Sequence, residues 1–327
     1  MKTTPANMSY TELLHLYEQQ HENIDYNTEP SKLYDAVKHI MGIKGKRIRP
    51  LLLLLCCDLF DGNIDEALRP ALAYEMFHNF TLVHDDIMDE AQIRRGVTTV
   101  HKAFGNSTAI LAGDVMLLYA YRFFEKLNCD KMLSALRLFT KTAIEIMEGQ
   151  QMDMNFEKQD FVAETDYLKM ITNKTSVLLA AAAQTGAIIG NADYDTQKSF
   201  YNFGLNLGLA FQIKDDYLDA FGDTEKVGKK IGGDILQDKK TYLQVLAQQH
   251  ANEQQKALMK EIKKLQGDEK ITATLNLFTT LGVKELAEKK MEYFYNTALH
   301  HLMQVNVDTE KKQVLKDFAA SIFYRNH

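Results

Sequence analysis

Six aspartates in two clusters are the residues whose types and spacing speak most directly of chemistry. Asp85, Asp86 and Asp89 lie in TLVHDDIMDEAQIRRG, and Asp215, Asp216 and Asp219 repeat their spacing 130 residues later in FQIKDDYLDAFGD. On a helix, Asp85 and Asp89 project from one face a single turn apart, where their carboxylates can share divalent cations. One cluster alone reads as a solvated face. Two, each adjoining an apolar segment, call for a compensating cation, because like charges at these spacings destabilise a helix. Asp without Cys or His suits Mg²⁺. Mg²⁺ held by few carboxylates keeps its other positions for water and phosphate oxygens, so a polyphosphate is the expected ligand. Matching cations occur in four places: Lys46, Arg47 and Arg49; Arg94 and Arg95; Lys174; and Lys229, Lys230, Lys239 and Lys240. A phosphate loop of GxxxxGKS/T type is absent.

The elements that must carry these residues are helices. The chain has 327 residues, 46% hydrophobic and 25% charged, which is ample for a large core. Its 4 prolines stand at positions 5, 30, 50 and 70, so nothing from residue 71 onward removes an intrahelical N–H. Apolar periodicity predicts helices over residues 10–20, 31–41, 50–59, 69–90, 107–127, 131–153, 166–190 and 195–221, with amphipathic helices from 241 to the end. The segment 50–59 is apolar nearly all round and should be a central helix. Gly96 is expected to cap the helix that carries Asp85, and residues 222–240 form the longest irregular stretch. No linker or internal repeat is visible, so one all-α domain over 1–327 is expected.

The net charge of −6 argues against a nucleic-acid footprint. The start, MKTTPANMSYTELL, has no apolar h-region, which predicts a cytoplasmic chain. The longest apolar stretch, residues 177–190, falls short of a membrane span, so no stable membrane insertion is expected. The 3 cysteines match no metal spacing and read as small buried hydrophobes.

With GKRIRP, DDIMD followed by RRG, the Lys174–Thr175 pair, and FQ followed by DDYLD, residues 45–240 resemble the trans-polyprenyl diphosphate synthases in order and near spacing. The resemblance implies the isoprenoid synthase fold: about a dozen helices around a deep central cavity, usually homodimeric, with the two aspartate motifs facing each other across its mouth. It implies that Asp85, Asp89 and Asp215 ligate Mg²⁺ directly, three ions per active site with substrate bound, while Asp86, Asp216 and Asp219 support. Arg94, Lys174 and Lys229 would grip an allylic diphosphate. Gly45, Lys46, Arg49, His78 and Arg95 match the metal-free isopentenyl diphosphate site, and Thr175, Gln212 and Lys239 match residues lining or closing the reaction centre. His78 also lies seven residues before Asp85, on nearly the same helical face, which favours a substrate contact.

Product length is read from the helix below Asp85. Thr81 lies one turn down, Phe77 two turns down and Phe80 on the flank, and a turn of about 5.4 Å is near the length of an isoprene unit. A small Thr81 lets a tail pass, whereas Phe77 or Phe80 would stop it. In the family an aromatic at the position of Phe80 goes with shorter products, while a first motif without a two-residue insertion resembles variants making geranylgeranyl diphosphate or longer. A twenty-carbon product is therefore expected, with farnesyl diphosphate next. Rival readings are a class I terpene cyclase and a non-catalytic partner subunit. A cyclase's second metal motif mixes Asn, Ser or Thr and Glu, unlike DDYLD, and a partner subunit usually loses aspartates that are all present here.

Overall fold

Ser9 begins the first helix by a reciprocal cap: its hydroxyl accepts the Glu12 N–H, and the Glu12 carboxylate accepts the Ser9 N–H. A computed structural model describes residues 8–222 and 232–324 of the chain. Those residues are helical apart from one small hairpin and the connecting turns, which makes the protein all-α. They divide into two compact units: 8–139 with 182–198 and 307–315, and 140–181 with 199–222, 232–306 and 316–324.

In the first unit, α1 (Tyr10–Glu22) and α2 (Ser31–Met41) precede α3 (Ile48–Asp58), in which every residue from Pro50 to Cys57 is buried, as an all-apolar segment requires. The helix carrying the first aspartates, α4, runs Ile64–Met88. It starts five residues before the expected 69, because the Asn63 side chain accepts the N–H groups of Asp65 and Glu66 and so caps it ahead of Pro70. Nor does Gly96 cap it. Asp89 occupies the C-cap, and the chain then forms a hairpin of β1 (Ile93–Arg94) and β2 (Val97–Thr98), with Ile93 opposite Thr98 and Arg94 opposite Val97. Arg95 (φ 51°) and Gly96 (φ 80°) are both left-handed in its two-residue turn, the conformation whose twist matches paired strands. Beyond α5 (Val100–Phe104) comes α6 (Asn106–Arg122), then a 3₁₀ turn, Phe123–Lys126. The core of this unit includes a run of rings in which Phe77 lies 5.4 Å from Phe80 and 5.2 Å from Phe139, and Phe139 also meets Tyr74, Tyr121 and Phe124.

Helices α7 (Cys129–Glu157), α9 (Val177–Ile189) and α10 (Tyr194–Phe221) each contribute residues to both units. Between α8 (Glu164–Ile171) and α9 the expected continuous helix is broken by a π-helical turn at Thr172–Ser176. The second unit continues with α11 (Gly233–Leu236), inside the stretch expected to be irregular, then α12 (Tyr242–His250), α13 (Glu253–Ile262), α14 (Gly267–Thr280) and α15 (Val283–Gln304), and the last helix, α16 (Thr309–Phe323), again contributes to both units. Tyr167, Phe200, Phe203, Ile213 and Tyr242 are among its buried side chains. Among the described residues, no helix is long and apolar enough to cross a membrane.

Candidate active site

The last turn of α4 and the hairpin after it bring the first set of predicted residues together. Asp85 is half-buried and Asp89 exposed, so both carboxylates are accessible at the helix end. Asp86 is only 1% exposed, and the Arg94 guanidinium clamps it with Nε 2.9 Å from each carboxylate oxygen and Nη2 2.7 Å from Oδ1. This pair fixes the hairpin onto the motif. Asp86 is thus engaged by Arg94, and Arg94, expected on a diphosphate, is held side-on by Asp86.

Arg95, on the hairpin turn, reaches back to the GKRIRP segment and donates to the Lys44 carbonyl at 3.3 Å. A Cβ at Gly45 would stand 2.7 Å from Arg95 Nη1, so glycine is what permits this approach. His78 lies where these cations converge. Loss of hydration, and then Arg49, Arg95, Arg94 and Arg47, push its imidazole well below the ordinary histidine range, so it is neutral at pH 7. Gly45, Arg49, His78 and Arg95, four of the five residues matched to the metal-free site, therefore gather as one cationic cluster. The fifth, Lys46, is exposed on the same segment. Phe77 and Phe80 are buried on α4, while Thr81 is half-buried and donates its hydroxyl to the His78 carbonyl at 2.8 Å.

In the second unit, Asp216 is the organising group. It accepts from Gln212 Nε2 at 3.2 Å, from the Tyr242 N–H at 2.8 Å, and from the Tyr167 hydroxyl in a short hydrogen bond. Burial raises its pKa to about 7 against the lowering effect of these donors, and the nearby Asp234 adds to the rise. Asp219 is likewise raised, first by burial and then by Asp234, whose N–H it accepts at 3.0 Å. Asp215 is exposed. Thr175 donates to Gln212 Oε1 at 3.0 Å, which continues the Asp216 network into the π-helical turn. Such turns are frequent at functional sites because they aim side chains away from the regular helical register. Lys174, one residue earlier, is paired with Asp153 at 2.5 Å. Lys239 lies 3.7 Å from Asp234. Lys229 and Lys230 lie outside the described residues.

Sequence reasoning missed Glu75, Asp153, Tyr167, Asp234 and Tyr242. Glu75 carried a signal, a charge inside an otherwise apolar run three residues before His78. The tyrosines carried none, since their roles come only from what tertiary packing puts beside them.

Among the described residues, no three acidic, His or Cys side chains already surround one ion position. The donor set nonetheless fits a hard divalent cation. Asp85 and Asp89 offer accessible oxygens one turn apart, and in the other unit Asp234 adds to burial in disfavouring charge on both Asp216 and Asp219, an effect that a cation would relieve.

The polyprenyl synthetase family matches residues 30–281. The geranylgeranyl pyrophosphate synthase of Geoglobus acetivorans is 35% identical over 301 residues, covering 91% of this chain and 92% of that protein. The geranylgeranyl diphosphate synthase of Saccharolobus solfataricus is 39% identical over 285 residues, 86% of this chain and 80% of that one. A crystal structure of a geranylgeranyl pyrophosphate synthase superposes with a TM-score of 0.91 at 40% identity, covering 98% of this chain and all of the other. With aspartate motifs, cationic cluster and all-α fold in place, the chain belongs to the polyprenyl synthetase family and is an enzyme of trans-prenyl transfer.

Proposed function

We propose that this enzyme joins isopentenyl diphosphate head to tail (1′-4) to an allylic diphosphate and releases geranylgeranyl diphosphate, with farnesyl diphosphate the next reading. The observation that carries it is the cluster in which Arg49, Arg94, Arg95 and Arg47 converge on a neutral His78 beside an acidic helix end. Two anions are recognised there in two ways, one by fixed cations and one by metal-binding carboxylates. A terpene cyclase has no use for the first.

Enzymes of this family generally depend on Mg²⁺, and three ions per active site are part of the proposal. Asp85, Asp89 and Asp215 would be its direct ligands, with Asp86, Asp216 and Asp219 in support. When bound, the metal neutralises the charge that develops on a departing diphosphate. Lys174, Arg94 and Lys229 grip the same diphosphate, so their attraction grows as the allylic C–O bond breaks. Thr175, with its hydroxyl directed to Gln212, and Gln212 itself offer fixed dipoles to the allylic cation, while Lys239 closes over the reaction centre. Lys46, Arg49, Arg95, His78 and the backbone at Gly45 hold isopentenyl diphosphate with its double bond toward that cation. The new C–C bond forms from that double bond, and the proton lost from the adjacent carbon goes to the released diphosphate. Phe77, Phe80 and Thr81 set where the tail stops.

The family match spans both compact units, which supports one synthase domain over 1–327. A homodimer is part of the reading: α6 exposes Ile110 by 46%, Leu111 by 57% and Leu118 by 62%, an apolar face suited to a second copy. A cytoplasmic location is part of the same reading.

Purified protein incubated with isopentenyl diphosphate, each allylic primer and Mg²⁺, with product mass as readout, tests this. A twenty-carbon diphosphate is expected. Cyclic hydrocarbon formed without isopentenyl diphosphate would favour the cyclase, and no product from any primer would favour a non-catalytic subunit.

A further inference from the structure

A buried ion pair adjoins the cationic cluster without facing a ligand. Arg47 stands at the N-cap of α3 with φ 49°, a left-handed backbone for a residue with a side chain. Its side chain accounts for that conformation. The guanidinium is 6% exposed, donates from Nη1 to Glu75 at 2.8 Å and from Nε to Glu18 at 3.0 Å, and lies 6.0 Å from the centre of the Tyr17 ring. Glu75 is 3% exposed and sits on α4 one turn before His78. With its donors on Glu18 and Glu75, Arg47 points inward while its chain neighbours Lys46 and Arg49 belong to the pocket. The turn that Arg47 anchors therefore sets where both of them stand.

Charge gives the pair a second task. Arg47, Arg49, Arg94 and Arg95 all act on His78, and Glu75 is the acid that offsets the mutual repulsion felt by Arg95 from Arg94 and Arg47. A pocket built to receive an anion without metal must keep its cations converged before the anion arrives, and a buried counter-charge behind them does so.

We infer that Arg47 and Glu75 are positioning residues for the isopentenyl diphosphate pocket, their ion pair holding Lys46, Arg49 and Arg95 in a convergent arrangement. Glu18 and Tyr17 lie on α1, ahead of residue 30 where the family match begins, so the N-terminal helix of this chain is part of the support. The inference rests on the reading of Lys46, Arg49, His78 and Arg95 as that pocket.

Steady-state kinetics of the full chain, varying each substrate at saturation of the other, test it in Glu75→Gln, Glu18→Gln and Lys46→Ala. Glu75→Gln keeps the shape and one acceptor but removes the counter-charge. It should raise the isopentenyl diphosphate KM about tenfold, with kcat and the allylic KM within about twofold. Glu18→Gln, which removes the second carboxylate anchoring the Arg47 side chain, should move the same constant about threefold, and it tests the positioning role of Arg47 if Glu75→Gln does not fold. A lowered melting temperature with unchanged isopentenyl diphosphate KM in both variants makes the pair purely structural and overturns the inference, as does a fall in kcat alone. An unchanged KM in Lys46→Ala would instead remove the pocket assignment itself.

Discussion

At the scale of residues, Asp85 and Asp215, the aspartates that begin the two motifs, are the ones expected to matter most. Asp85→Asn and Asp215→Asn each remove a charged donor from the cation cluster, so each should lower kcat by about 10²-fold or more at saturating Mg²⁺. Near-normal turnover in either variant would refute the metal assignment. Asp86 and Asp216 are a different matter, since the first is spent on Arg94 and the second on Gln212, Tyr167 and Tyr242. The spacing of DDIMD and DDYLD was legible because an i, i+4 carboxylate pair on a helix has a physical consequence wherever it occurs. The inward roles of Asp86, Arg94 and Asp216 were not, because they depend on a hairpin and on two tyrosines brought from distant positions.

At the scale of elements, helix existence was legible and helix boundaries were not. Residues 50–59 had to be central from composition alone, and they are buried. The start of α4 was misplaced because apolar periodicity pointed to residue 69, whereas the Asn63 cap decides it. The hairpin after α4 escaped notice because its strands are two residues each, too short for any periodicity. That same α4 carries the product-length argument. Removing the Phe77 or Phe80 ring should lengthen the product, and Thr81→Phe should shorten it, as read by product mass. Phe77 is wholly buried between Phe80 and Phe139, so Phe77→Ala should also cost about 3–5 kcal/mol of stability in a denaturant titration. Unchanged product in all three variants would put the floor of the tube on another helix, with Met116 and Tyr119 of α6 the first to try. In the second unit, Glu164 of α8 accepts from the Tyr242 hydroxyl at 2.8 Å and pairs with Lys290 of α15 at 2.9 Å. Burial opposes ionisation, yet Lys290 and Tyr242 hold the Glu164 carboxyl below its usual range. A depressed folded pKa contributes stability that is complete above the unfolded value of about 4.3 and is lost as pH falls through the folded one. Glu164→Gln should therefore lower the melting temperature at neutral pH and make little difference in strong acid. An equal loss at both pH values would mean that the pair contributes by packing alone.

At the scale of the whole molecule, the all-α class followed from the scarcity of proline, and the family from the order of four motifs over residues 45–240. Division of the fold into two compact units was not legible, because α7, α9, α10 and α16 run through both without a change in composition. Light scattering should give about twice the chain mass of 37.4 kDa, since the exposed leucines and isoleucine of α6 need a partner surface. A monomer at micromolar concentration would leave that face unexplained. The central claim is that one diphosphate is held through metal and the other by Lys46, Arg49 and Arg95 around His78. Calorimetric binding of isopentenyl diphosphate and of a non-hydrolysable allylic diphosphate analogue, each with Mg²⁺ and with a chelator, tests it directly. The account predicts that the allylic analogue loses its affinity in chelator while isopentenyl diphosphate keeps its own; equal loss for both ligands would contradict it.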